Sequence, residues 1–155
     1  MFNRIKRKKM KKFLILAAAC FASGVFAAHA DNDRPIRTDE LPQNAQQFVK
    51  QHFPAEKIAF AKQERSLTST SYEVLLSNGY KIEFRQNGEW SEVDCKYGSV
   101  PPAIVPAQIA QYVSQNYPEV AIVEIERSRR DYEVKLGNGF DLTFDRQFNL
   151  IDIDN

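Results

Sequence analysis

"YEVLLSNGYKIEF" (residues 72–84) and "YEVKLGNGFDLTF" (residues 132–144) are one phrase written twice. In the first, Tyr72, Val74 and Leu76 alternate with other residues before an Asn-Gly, and Tyr80, Ile82 and Phe84 alternate after it. The second repeats the pattern with Tyr132, Val134 and Leu136, then Phe140, Leu142 and Phe144. Period two on both arms describes two strands with one face buried and one wet. Asn78-Gly79 and Asn138-Gly139 stand where a tight hairpin demands positive φ, so they read as turns rather than as sites.

The correspondence extends outward from the hairpins. Residues 41–58 match residues 105–122 at an offset of 64, pairing Pro42 with Pro106, Phe48 with Tyr112, Val49 with Val113 and Pro54 with Pro118. The hairpin phrases match at an offset of 60. Self-similarity of this kind implies two copies of one supersecondary unit. Ala45, Phe48, Val49 and His52 fall at helical spacing, as do Ile109, Tyr112, Val113 and Asn116, and each stripe stops before a proline. Residues 57–63 and 120–126 read as strands before each hairpin, and residues 90–94 and 150–154 as strands after it. The expected fold class is α+β: a tandem repeat of a helix plus a four-stranded antiparallel sheet, with the helices on one sheet face. Repeat 1 spans residues 40–95 and repeat 2 residues 105–155, joined by a Gly/Pro-containing linker at 96–104 ("KYGSVPPAI").

The N-terminus belongs to none of this. A run dense in Lys and Arg (1–12) precedes an uncharged apolar run (13–26) and the small-x-small triplet Ala28-His29-Ala30. That order is the grammar of a secretory signal peptide over residues 1–30, with cleavage after Ala30 and a short segment, 31–39, ahead of repeat 1. The apolar run is too short for a membrane span, so no transmembrane segment is expected in the mature chain. Met10 is an alternative start. A lipoprotein reading through Cys20 fits less well, because Ala17 stands three residues before it where leucine is usual. The expected location is periplasmic or secreted.

Processing changes the charge. Seven of the 21 Lys and Arg residues lie in residues 1–30, which hold no acid, so 14 basic and 20 acidic residues remain, a net of −6. An acidic surface argues against nucleic acid, whose binding rests on cations neutralising phosphates. Cleavage also removes Cys20 and leaves Cys95 without a disulfide partner; it reads as a small buried hydrophobe.

Two copies of P-x-x-[IA]-x-x-[FY]-[IV]-x-x-x-[FY]-P, each followed by YEVxLxNGxxxxF and a terminal strand, resemble the PepSY-like proteins of Bacteroides-type bacteria. These are also called β-lactamase-inhibitor-like proteins. The resemblance covers residues 40–154. It implies a fold similar to β-lactamase inhibitory protein, with an open sheet face that holds another protein. It implies no catalytic residues.

The residues themselves offer little chemistry. There is no G-x-S-x-G, H-E-x-x-H, C-x-x-C or Gly-rich phosphate loop, and His52 is the one histidine after residue 30. "DRQFNLIDIDN" (145–155) gathers Asp145, Asp152 and Asp154, yet it lacks the spacing of a calcium loop. No enzyme, metal or cofactor is expected. The candidate surface is the wet side of the hairpins: Glu73, Leu75, Lys81, Glu83 and Arg85 in the first copy, and Glu133, Lys135 and Asp141 in the second, with Trp90 and Tyr97 as aromatic anchors. The expected role is a non-enzymatic exported binding module, an inhibitor of a protein partner of unknown identity. The alternative is a small-ligand or calcium-responsive sensor on the same fold.

Overall fold

The computed structural model describes residues 33–155; the expected leader, with Met10 and Cys20, lies outside the described residues. In chain order the elements are β1 (Arg34–Pro35), a 3-10 turn (Thr38–Glu40), α1 (Gln43–His52), β2 (Ile58–Arg65), β3 (Thr70–Leu76), β4 (Lys81–Arg85) and β5 (Trp90–Asp94). They continue as α2 (Ala107–Asn116), β6 (Ile122–Arg127), β7 (Asp131–Leu136), β8 (Asp141–Asp145) and β9 (Leu150–Asp154).

The class is α+β, but the sheet corrects the expectation of a separate four-stranded sheet in each half. All nine described strands form one antiparallel sheet in the order β1-β2-β3-β4-β5-β6-β7-β8-β9. β5 pairs directly with β6, matching Val93 with Ile125. The reason is economical: a strand at the end of the first half would leave an open row of N–H and C=O groups, and β6 satisfies it.

Direct register partners carry their side chains to the same face. One row therefore crosses the molecule on a single side: Ala61, Val74, Ile82, Val93, Ile125, Val134, Leu142 and Ile153. Both helices lie on this side. The Phe48 ring of α1 meets Phe84 edge-on at 5.6 Å, and Tyr112 of α2 meets Phe144 at 5.5 Å. Ala45, Val49, Ile109 and Val113 are the buried residues of the two helices, as their spacing predicts. Phe84 and Phe144 are fully buried, and each such side chain contributes about 1.5–3 kcal/mol by leaving water.

Pro42 and Pro106 are the N-caps of the helices. At the other ends the Phe53 amide donates to the Val49 carbonyl at 2.9 Å and the Tyr117 amide to that of Val113 at 2.8 Å, after which a proline stops each helix. The segment between the halves is not a solvated tether. Val100 and Ile104 are buried in the shared core, and the Val100 amide donates to the Ile122 carbonyl at 2.8 Å.

The Asn-Gly turns divide their work between the two residues. Only the glycines take positive φ, 86° at Gly79 and 95° at Gly139. The asparagines act through their side chains: Asn78 Oδ1 accepts the Tyr80 amide at 3.0 Å, and Asn138 Oδ1 accepts that of Phe140 at 3.3 Å. Gly88, at φ 79°, is required for a further reason. A β-carbon there would lie 2.8 Å from Cβ of Pro42, because the start of α1 rests on this turn. The matching position in the second half is Phe148, also at positive φ, with its ring 5.4 Å from Tyr132.

Candidate binding surface

The face opposite the helices is built by the alternate residues of the same strands. One register row reads Lys62, Glu73, Glu83, Glu92, Glu126, Glu133, Thr143, Asp152. The next reads Phe60, Leu75, Lys81, Asp94, Glu124, Lys135, Asp141, Asp154. Together they set ten carboxylates against three lysines.

Lys62 and Lys81 are each shared among several acids. Lys62 reaches Glu64 at 2.6 Å, Asp33 at 3.2 Å and Glu73 at 3.6 Å. Lys81 reaches Glu92 at 2.8 Å and Glu83 at 3.2 Å, and Lys135 reaches Glu124 at 2.9 Å. For Lys81, burial alone would favour the neutral amine, but the bonds and charges of Glu92 and Glu83 outweigh it and hold the ammonium above its ordinary range. Glu92 moves the opposite way to a simple ion-pair partner. Burial dominates there, Glu83 and Glu124 add repulsion, and Lys81 only partly offsets both, so its carboxyl is pushed up to about 7. One cation cannot satisfy all the acids around it. Glu126 is likewise raised, by burial first and then by Glu133, Glu124, Glu83 and Asp131.

The expected surface residues are brought together on this face, with two exceptions. Glu73, Leu75, Lys81, Glu83, Glu133, Lys135 and Asp141 all stand in the two rows. Arg85 lies at their margin and donates through Nη2 to the Arg127 carbonyl at 2.6 Å. Trp90 lies on the other face, where its ring is 6.4 Å from Phe48 and carries the Arg127 guanidinium at 4.3 Å. Tyr97 is exposed in the segment after β5, beside Lys96. Sequence reasoning passed over Phe60, whose exposed side chain is the direct neighbour of exposed Leu75 and makes a small apolar patch. It also passed over Glu92, Asp94, Glu124 and Glu126, because their meeting requires the β5–β6 pairing, which no local pattern reports.

What remains offers little reactivity. Cys95 is fully buried, and burial pushes its thiol up to about 12. The His52 ring lies 4.6 Å from that of Phe48, tilted by 46°, and burial lowers its pKa. Among the described residues no group of three or more His, Cys, Asp or Glu is arranged to hold a metal ion. No described helix is long and apolar enough to cross a membrane. The face is suited to meeting cations or basic surfaces, and nothing in it points to catalysis.

Known proteins agree with this architecture. The family described as "Putative beta-lactamase-inhibitor-like, PepSY-like" matches residues 70–152. No curated protein matches the chain. Among solved structures, a periplasmic protein of the DUF2874 family from Bacteroides vulgatus is 53% identical, covering 81% of this chain and 99% of its own, with a TM-score of 0.79. A protein from Bacteroides thetaiotaomicron, named "putative calcium-regulated periplasmic protein", is 56% identical over 81% of this chain and 99% of its own, with a TM-score of 0.79. A second periplasmic protein from Bacteroides vulgatus, of unknown function, is 38% identical over 79% of this chain and 99% of its own, with a TM-score of 0.77. The chain therefore belongs to the PepSY-like, β-lactamase-inhibitor-like family, whose solved relatives are described as periplasmic.

Proposed function

We propose that this chain is a non-enzymatic binding module of the periplasm, exported by cleavage after Ala30, that docks another protein on the open sheet face and inhibits it. The observation that carries this reading is the uncovered face itself: two aligned acidic rows beside the Phe60–Leu75 patch, on a sheet stiffened from behind by both helices. A rigid face with fixed charges suits recognition, since charge complementarity sets partner choice and encounter rate. The two halves, residues 40–95 and 105–155, act as duplicated units that together widen the face. The test is affinity capture from envelope extract with the native chain and with the triple variant Glu73→Lys, Glu83→Lys, Glu133→Lys. A partner held by the first and lost by the second supports the reading. The same proteins on both, or none on either, removes it. The mass of the exported protein checks cleavage after Ala30.

A second reading, a calcium-responsive sensor, is favoured by the name of the Bacteroides thetaiotaomicron relative. Binding to the folded state raises its stability. Titration calorimetry and thermal melting with Ca²⁺ decide it: no heat and no rise in Tm would end this reading.

A further inference from the structure

The two halves end on matching strands, β5 and β9, but among the described residues only one of them is covered. The Cys95 amide, one residue past β5, donates to the Val123 carbonyl at 2.7 Å. Alternation along the strand points the N–H and C=O of Val93 the same way, toward β6. Val93 is fully buried there, with Ile125 as its register partner. Sixty residues on, Ile153 pairs with Leu142 as Val93 pairs with Ile82, yet it is 43% exposed. Among the described residues no strand lies outside β9. The Ile153 amide is instead met by Oδ1 of the adjacent Asp152 at 3.1 Å. The opposite edge is differently made: β1 is two residues long and contains Pro35, which has no N–H to offer.

From this we infer that β9 is a strand-addition site for an extended, cationic segment of another protein. The segment would pair antiparallel to β9 as β6 pairs with β5. Its chemistry follows from the internal precedent. Beside Ile153 it places a β-branched apolar residue, the counterpart of Ile125. Opposite Asp152 and Asp154 it places the counterparts of Glu126 and Glu124. In the β5–β6 seam the acids have lysines one strand further in, with Lys81 on Glu92 and Lys135 on Glu124. At β9 the position of Lys81 is taken by Asp141, the register partner of Asp154. A strand arriving there meets Asp152 and Asp154 with an acid in the place of Lys81. The nearest lysine of that row, Lys135, stands one strand further in, beyond Asp141. Lys or Arg at the two flanking positions of the arriving strand therefore makes the match. The same charges oppose a second copy: two β9 strands paired about a twofold axis would set Asp152 and Asp154 of both chains on one face.

The probe is a peptide copying residues 121–127 with the changes Glu124→Lys and Glu126→Lys, added to the full chain and followed by amide chemical shifts and hydrogen exchange. Shifts are expected along β9, with slowed exchange of the Ile153 amide, and the unaltered 121–127 peptide should bind about tenfold more weakly because it opposes acid to acid. Ile153→Pro, which removes the outward N–H, should abolish the response while the Trp90 fluorescence reports an intact core. Should that variant fail to fold, the double variant Asp152→Lys, Asp154→Lys replaces it and should reverse the preference toward the glutamate peptide. Equal binding of the two peptides, shifts confined to the Glu73–Glu83–Glu133 face, no response to the lysine peptide, or a dimer that Ile153→Pro dissociates would each overturn the proposal.

Discussion

Glu92 of β5 and Glu126 of β6 are direct register partners across the strand pair that joins the two halves of the sheet. The next pair on the same face, Asp94 and Glu124, is also acid against acid. Like charges set opposite one another oppose strand pairing. The seam is held from behind, by Val93 against Ile125 in the shared core, and its open side is under electrostatic load.

That load predicts an unusual pH dependence. A carboxyl raised to about 7 in the folded state, against an ordinary value of 4.5, holds its proton more tightly folded than unfolded. Its ionised form therefore costs stability, fully above the folded pKa, and the cost vanishes as pH falls toward the ordinary value. Stability should rise as pH is lowered from about 8 to about 5, by about 1–2 kcal/mol once solvent screening is discounted. Glu92→Gln should stabilise the chain at the upper end and flatten the slope. Urea midpoints across that range measure both, and a stability that falls on acidification would contradict the account.

The two glycine turns of the first half should respond differently to alanine. At Gly79 nothing lies near an added β-carbon, so only the positive φ is penalised, at about 1 kcal/mol. At Gly88 the same strain is joined by collision with Pro42 and Asn44, and the loss should exceed about 2 kcal/mol. Equal losses in urea unfolding would mean that the start of α1 does not rest on this turn.

Arg127 ties the halves together on the helix side. Its guanidinium lies over Trp90 and its Nε donates to the Trp90 carbonyl at 2.8 Å. Arg127→Ala should cost about 1–2 kcal/mol and shift the emission of the single tryptophan. Arg127→Lys should recover little, because an ammonium cannot both stack flat on the ring and hold the fixed bond.

Cys95 supplies a test of the core. In the chain beginning at Asp31 it is the sole thiol, fully buried and pushed up to about 12. A thiol reagent should leave the native protein unlabelled at neutral pH and label it once in denaturant. Rapid labelling under native conditions would show that the core around Cys95 opens.

The parts that were legible in the sequence are local. Two alternating arms around Asn-Gly name a hairpin, a stripe at Ala45, Phe48, Val49 and His52 names a helix, and a proline names where it stops. Strand bounds at Trp90–Asp94 and Leu150–Asp154 were likewise readable, from the match between the two copies. The face assignment of Glu73, Glu83 and Lys135 followed from period two alone. Trp90 misled because alternation at the start of β5 is broken by a bulge opposite Glu83 and Phe84, which sets the ring on the helix side.

By itself, then, the chain's pattern determined what each segment would be and which of its sides would be dry, since both depend on residues a few positions apart. Only the tertiary structure decided that the two halves share one nine-stranded sheet, that Glu92 meets Glu126, and that Val93 is covered while Ile153 is not. Those facts depend on which strand edge finds which, a choice made by the satisfaction of backbone hydrogen bonds between segments far apart in the chain. Outside a proline such as Pro35, hydrogen-bonding edges look alike from strand to strand and leave no mark in the order of side chains.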